Sequence, residues 1–230
     1  MLIVAVTIIA AFAAGCRDSG QASPGPAITL PAPEGDPRSA LLGFAAISSP
    51  DAGQAGYAAA FATAAEWGDV VLIQRAPPWD EFREGGHISE ATEQLTRFEQ
   101  SLVDQYDLRV FFVIDPTDPA VERARLIDVP QEDFARGFED ADLRSALSGY
   151  AAYVARNYRP AYLAIGAEID MYADRNPSQF ESFLEAYEES YTVAKAANPA
   201  TLVFPTFQLE DIEGNFGAAH PPRWDLLLAF

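Results

Sequence analysis

From Leu41 onward the sequence alternates between short apolar runs and longer segments of helical spacing, and this rhythm restricts the fold more than any single motif. The runs are Leu41–Ile47, Asp69–Ile73, Arg109–Ile114, Ala161–Ile165, Thr201–Phe204 and Trp224–Phe230. Near-continuous apolarity in so short a run is what a parallel strand covered on both faces shows. Between the runs, Leu95, Phe98, Leu102 and Tyr106 fall on one helical face, with Ser89 placed to cap its start. Leu143, Leu147, Tyr150, Val154 and Tyr158 form a second stripe. A third, Phe180, Phe183, Leu184, Tyr187 and Tyr191, is ended by Asn198-Pro199. The Ala-rich stretch from Gly53 to Trp67 supplies the first helix.

Such alternation calls for a parallel sheet joined by right-handed crossovers, which an open doubly wound sheet and a closed barrel both satisfy. A dinucleotide fold places a glycine-rich phosphate loop after its first strand, where this chain has Ser48-Ser49-Pro50-Asp51. Polar residues cluster just after the strands instead: Gln74 and Arg75, Asp115, Glu168 and Asp170, Gln208 and Glu210. In a barrel these positions open onto one rim, the face where active sites form. The expectation is therefore an α/β fold, a (β/α)₈ TIM barrel truncated after about six strands, because a whole barrel takes about 250 residues and eight strands.

Before the barrel comes an apolar run, Leu2 to Ala14, too short for a membrane-spanning helix of roughly 20 residues but right for the core of a secretory signal. Ala13-Ala14-Gly15-Cys16 resembles a bacterial lipobox, with Ala13 where Leu is commoner and no Lys or Arg ahead of the run. That resemblance implies a lipidated Cys16 and export to the cell envelope; the alternative is an ordinary signal peptide and secretion. Arg17 to Arg38 holds Pro24, Pro26, Pro31, Pro33 and Pro37 among Gly and Ser and reads as a semi-extended tether. The domain reading is thus signal 1–16, tether 17–38 and partial barrel 39–230.

Charge narrows the partners. The 15 Lys and Arg stand against 34 Asp and Glu, a net −19, all of it beyond Cys16. Such a surface repels phosphate backbones and anionic headgroups, so nucleic acid is excluded and membrane contact is expected only through the lipid. A neutral polysaccharide is not repelled. Cys16 is the one cysteine, so an internal disulfide is impossible. His87 and His220 are too few for a His-rich zinc site, and no cofactor or metal is expected.

The most informative segment is Ala161-Tyr162-Leu163-Ala164-Ile165-Gly166-Ala167-Glu168-Ile169-Asp170. It resembles the end of strand four in clan A glycoside hydrolases, where an apolar strand finishes in Gly-Asn-Glu; the endo-β-1,4-galactanase-like members are nearest in texture. The resemblance spans roughly Leu41 to Phe230 and implies that Glu168 is the general acid/base. Glycosidic cleavage needs such a proton donor and, in retaining enzymes, a second carboxylate about 5–5.5 Å away as nucleophile. Ala167 departs from the family's sugar-binding asparagine, and the family's nucleophile lies on a strand seven beyond this chain. A purely structural role would pair Glu168 with Arg75 or another rim cation.

Other rim residues carry two readings each. Trp79, on the loop Ala76-Pro77-Pro78-Trp79-Asp80, either stacks on a sugar or packs the loop. Arg75 either binds a hydroxyl or orients Glu168, or makes an ion pair in the barrel mouth. Asp115 contacts substrate or forms the turn before Pro116. Tyr172 lines a subsite or packs the start of a helix. Gln208 meets a sugar hydroxyl or solvent. The long connection from Pro116 to Asp140 is a candidate wall for a cleft. Two functions follow: a glycoside hydrolase acting on a β-linked polysaccharide or oligosaccharide, or a non-catalytic carbohydrate-binding or structural surface lipoprotein on a degenerate barrel.

Overall fold

The computed structural model describes residues 40–130, 133–215 and 220–230. The readings for the signal, Cys16 and the tether lie outside them.

Five strands form one sheet: β1 (Gly43–Ala45), β2 (Val70–Arg75), β3 (Arg109–Ile114), β4 (Tyr162–Ile165) and β5 (Leu202–Phe204). Their order in space is their order in the chain, and all four neighbouring pairs are parallel. A doubly wound sheet starts in its middle and reverses direction, giving an order such as 3-2-1-4-5. Strictly sequential order is that of a barrel wall. The helices between are α1 (Gly53–Trp67), α2 (Trp79–Phe82), α3 (Glu90–Tyr106), α4 (Ala141–Asn157), α5 (Ile169–Arg175), α6 (Pro177–Ala197) and α7 (Leu209–Ile212).

Register sorts the strand residues into two layers, because successive side chains of a strand point to opposite faces. Val71, Ile73, Val110, Phe112, Ile114, Leu163 and Ile165 join the large cluster formed with the helices. Val70, Phe111, Val113 and Ala164 form a second cluster on the other face, with Leu72, Tyr162 and Phe204 against it. The pairings Leu72↔Phe111, Phe111↔Tyr162 and Ala164↔Phe204 keep each layer in step across the sheet. Phe111, Tyr162 and Phe204 touch at ring-centroid distances of 5.7–6.4 Å.

The sixth strand expected at Trp224–Phe230 is not one. Trp224–Leu228 is a 3₁₀ turn that buries Leu226. Two consecutive prolines, Pro221 and Pro222, remove backbone donors just before it. The Phe230 ring packs on Phe180, Phe183 and Tyr187 of α6 and on Phe207. An apolar run has no period of its own, and here ring packing on a helix replaces strand pairing.

Helix α3 begins as expected, the Ser89 side chain accepting the Thr92 N–H. Its buried face is rotated from the apolar stripe, however. Leu95 is 39% exposed, whereas Thr96, Glu99 and Leu102 are buried. Glu99, 0% exposed, accepts from Tyr57 Oη and Tyr158 Oη at 2.5 Å each and is ion-paired with Arg75. Burial first, then the Glu99 charge, pushes both phenols up. Arg75 also lies against the Phe112 ring, its guanidinium carbon 5.5 Å from the centroid.

Breaking a buried pair on one side costs more than replacing it whole. Arg75→Met is expected to lower unfolding free energy by about 3–5 kcal/mol. Adding Glu99→Gln should restore most of that loss, as read in denaturant titrations; equal stability of the single and double variants would show that the pair carries no such energy.

Candidate active site

Three strand ends supply the site. On β2, Gln74 faces the barrel interior because it has the parity of Val70 and Leu72. Just past β3, Asp115 has the parity of Phe111 and Val113. Beyond β4 the chain leaves regular strand geometry at Gly166, whose φ is +94°. A Cβ there would lie 2.9 Å from Phe183 Cζ, so glycine is required both by the backbone and by the space.

Two residues later Glu168 adopts a left-handed backbone, φ 47° and ψ 52°, and starts α5. For a non-glycine residue this costs of order 1–3 kcal/mol and persists only where its surroundings impose it. Thr206, just past β5, supplies the constraint. Its N–H donates to the Gly166 carbonyl (3.0 Å), its carbonyl accepts from Ile169 N–H (3.0 Å), and its Oγ1 accepts from Glu168 N–H (3.1 Å).

The Arg123 guanidinium joins the strand ends. Nε–H donates to Glu168 Oε2 at 2.7 Å, and Nη1–H donates to Asp115 Oδ1 at 2.7 Å and Thr117 Oγ1 at 3.1 Å. Gln74 Nε2 donates to the other Asp115 oxygen at 2.9 Å. Arg123 and Asp115 are buried, while the Glu168 side chain remains 37% exposed. Burial pushes the Asp115 carboxyl up from its ordinary range, against the opposing pull of Arg123 and Gln74. The result is a half-exposed glutamate side chain held at the strand ends by a buried cation that is itself fixed on a second carboxyl group.

Arg123 belongs to the long connection after β3. That segment folds over the rim: Thr117 bridges Leu126, Leu126 and Val129 are buried, and Glu122 and Arg123 both have positive φ. The expected wall of a cleft is thus a packed loop that also delivers the cation.

The structure does not bring the other candidates to this cluster. Arg75 has the outer parity and pairs with Glu99 among the helices, so it neither orients nor neutralises Glu168. Trp79 is 2% exposed, donates Nε1–H to the Ile127 carbonyl at 2.7 Å and packs near Phe138; its face is not open to a sugar. Tyr172 is fully buried against Phe138 and Phe183, its hydroxyl donating to Gln179 Oε1 at 3.1 Å, so it lines no subsite. Asp115 is more than a turn former, since both its oxygens are taken by side chains. Gln208 is half-buried at the start of α7, its backbone N–H donating to Asp170 Oδ1 at 2.9 Å. Arg123, Thr117 and Thr206 are residues that sequence reasoning missed. A separate trio, Asp174, Asp211 and His220, is the group among the described residues able to hold a metal ion.

No protein-family model and no curated protein matches this chain. Among solved structures it is similar to a GH5_18 variant from Bifidobacterium longum subsp. longum ATCC 55813, in complex with Manβ1-4GlcNAc, with a TM-score of 0.53 at 14% identity. The fold is glycoside hydrolase-like. The alignment covers 70% of this chain and 40% of that one, so the chain spans well under half of its neighbour's length. A family 39 glycoside hydrolase from Bacteroides cellulosilyticus WH2 aligns more loosely, with a TM-score of 0.43 at 16% identity over 70% of this chain and 30% of that one.

A carboxyl with a raised folded-state pKa keeps its proton where the unfolded chain has lost it, so its contribution to stability declines as pH climbs from about 3.9 through the raised value. Asp115→Asn should remove that component, making unfolding free energy fall less between pH 4 and neutrality. Unfolding titrations at several pH values check this; an unchanged slope would contradict it.

Proposed function

We propose that this protein acts on β-linked oligosaccharides or polysaccharides and that Glu168 is its proton donor. The observation that carries the reading is the placement of Glu168: past the fourth strand of a glycoside hydrolase-like fold, in a strained turn, at the end of the strands where barrel active sites form. The GH5_18 neighbour is in complex with a β1-4-linked disaccharide, which favours the same ligand class here.

In this reading Glu168 Oε1 faces the glycosidic oxygen while Oε2 stays on Arg123. Glu168 delivers its proton to the leaving oxygen and then, as a carboxylate, takes one from the attacking water. Asp115, itself held by Gln74, engages the guanidinium rather than the sugar. The nucleophile is expected on strand seven of the complete barrel. Cys16 anchors the protein to the envelope through lipid.

A non-catalytic, sugar-binding barrel is favoured by one observation: Ala167, where the family has asparagine, is buried with the inner-face cluster and offers a sugar no hydrogen bond.

Turnover of β1-4-linked oligosaccharides by the full-length protein separates the two. Glu168→Gln should lower kcat by about 10²–10⁴-fold on substrates with poor leaving groups. Unchanged turnover removes Glu168 from the chemistry, saturable sugar binding without turnover favours the second reading, and neither binding nor turnover defeats both. For the anchor, Cys16→Ser should move the protein from the membrane fraction to the soluble one; an unchanged distribution argues against lipidation.

A further inference from the structure

Away from the Glu168 cluster, the segments following β4 and β5 meet at a second group of ionisable side chains. Asp174 lies in α5, Asp211 in α7, and His220 and Arg223 follow α7. His220 Nε2 is 2.6 Å from Asp174 Oδ2 and 3.4 Å from Asp211 Oδ2, and one ligand atom from each of the three lies within 4.8 Å of the others. Arg223 is ion-paired with the other oxygen of Asp174.

Two features mark this group as more than a salt-bridge cluster. His220 Nδ1 is 2.8 Å from the Pro221 carbonyl oxygen. A carbonyl only accepts, so Nδ1 carries a proton, and Nε2 is the ring atom turned toward the two carboxylates. Nε2 is buried and makes no hydrogen bond, although Asp174 is close; the oxygen is off the line a donated proton would take. Two carboxylates against this nitrogen call for positive charge among them, a proton on the ring or a bound metal ion. An Nδ1–H held by a backbone carbonyl is also how metal-ligating histidines are commonly oriented.

The second feature is Asp170, four residues before Asp174 and 1% exposed. Its Oδ1 accepts from Gln208 N–H, while the buried Oδ2 has no donor. Its carboxyl interacts with Asp211, a charge of the same sign. A buried carboxylate oxygen without a donor, beside two further aspartates, is costly unless positive charge is nearby.

We propose that Asp174, Asp211 and His220 bind one divalent transition-metal ion, Zn²⁺ or Mn²⁺, with Asp170 behind them. One imidazole and two carboxylates form a mixed N,O set, which suits such ions better than the all-oxygen preference of Ca²⁺. Metal–ligand bonds of about 2.1 Å place adjacent ligand atoms roughly 3.0–3.4 Å apart, so His220 and Asp174, at 2.6 Å, must part by about 0.4–0.8 Å, while His220 and Asp211, at 3.4 Å, already fit. The ion's role is structural. It ties the segment after β5 to α5, the helix that Glu168 begins, and is independent of whether Glu168 cleaves sugar.

The test uses the full chain stripped with chelator, then titrated with ZnCl₂ and MnCl₂ and followed by calorimetry and thermal unfolding. One equivalent of either ion should bind saturably and raise Tm. His220→Gln and Asp211→Asn should each weaken binding at least tenfold, whereas Glu168→Gln should leave it unchanged. In ¹⁵N spectra of the unaltered protein, Zn²⁺ should shift His220 Nε2, a readout that does not depend on any variant folding. No saturable binding below about 1 mM, binding undiminished in both variants, or a His220 resonance unmoved by Zn²⁺ would overturn the proposal.

Discussion

Parity along a strand is the constraint on which the rest of this structure depends. A sheet covered on both faces must send alternate side chains to different layers, and a shift of one residue exchanges them. On β2 that alternation places Gln74 with the inner layer and Arg75 with the helices. The two are adjacent polar residues at the same strand end, yet one holds Asp115 at the mouth and the other neutralises a glutamate buried under α3. Proximity in sequence says little here; phase says nearly everything.

The same phase accounts for what the sequence could and could not reveal. Four of the six apolar runs became strands nearly where expected, and Leu41–Ile47 became the shorter β1. Sequential order did not follow from the rhythm, which fits an open sheet as well; it was read from the polar residues after the strands and from Ser48-Ser49-Pro50-Asp51 where a glycine-rich loop would stand. Trp224–Phe230 failed because apolarity without a period fits either a strand or a packed turn. Helix α3 misled in a different way. Its buried face includes Thr96 and Glu99, polar residues satisfied by tyrosines and an arginine from distant segments, and no local pattern announces such partners.

At the rim, Glu168 was legible because a glutamate ending an apolar strand after glycine has a recognisable form. Asp115 was visible but its role was not. Its partner Arg123 sits in an aperiodic loop, and only folding shows that this loop turns back over the strand ends. Trp79 and Tyr172 show the reverse error. Aromatic residues near a rim suggest sugar stacking, but large rings close a core equally well, and both rings are enclosed. The Asp174, Asp211 and His220 group was invisible for a similar reason, as its members are dispersed along the chain with no ligand spacing to link them.

The strand order has a consequence for biosynthesis. Each strand pairs with the one translated just before it, so a chain leaving the ribosome can add every new unit to a finished edge without waiting for a distant segment. Loop-closure entropy is then paid in short instalments rather than at once. Assembly can keep pace with translation, and the growing end of the sheet always presents the docking surface for what emerges next.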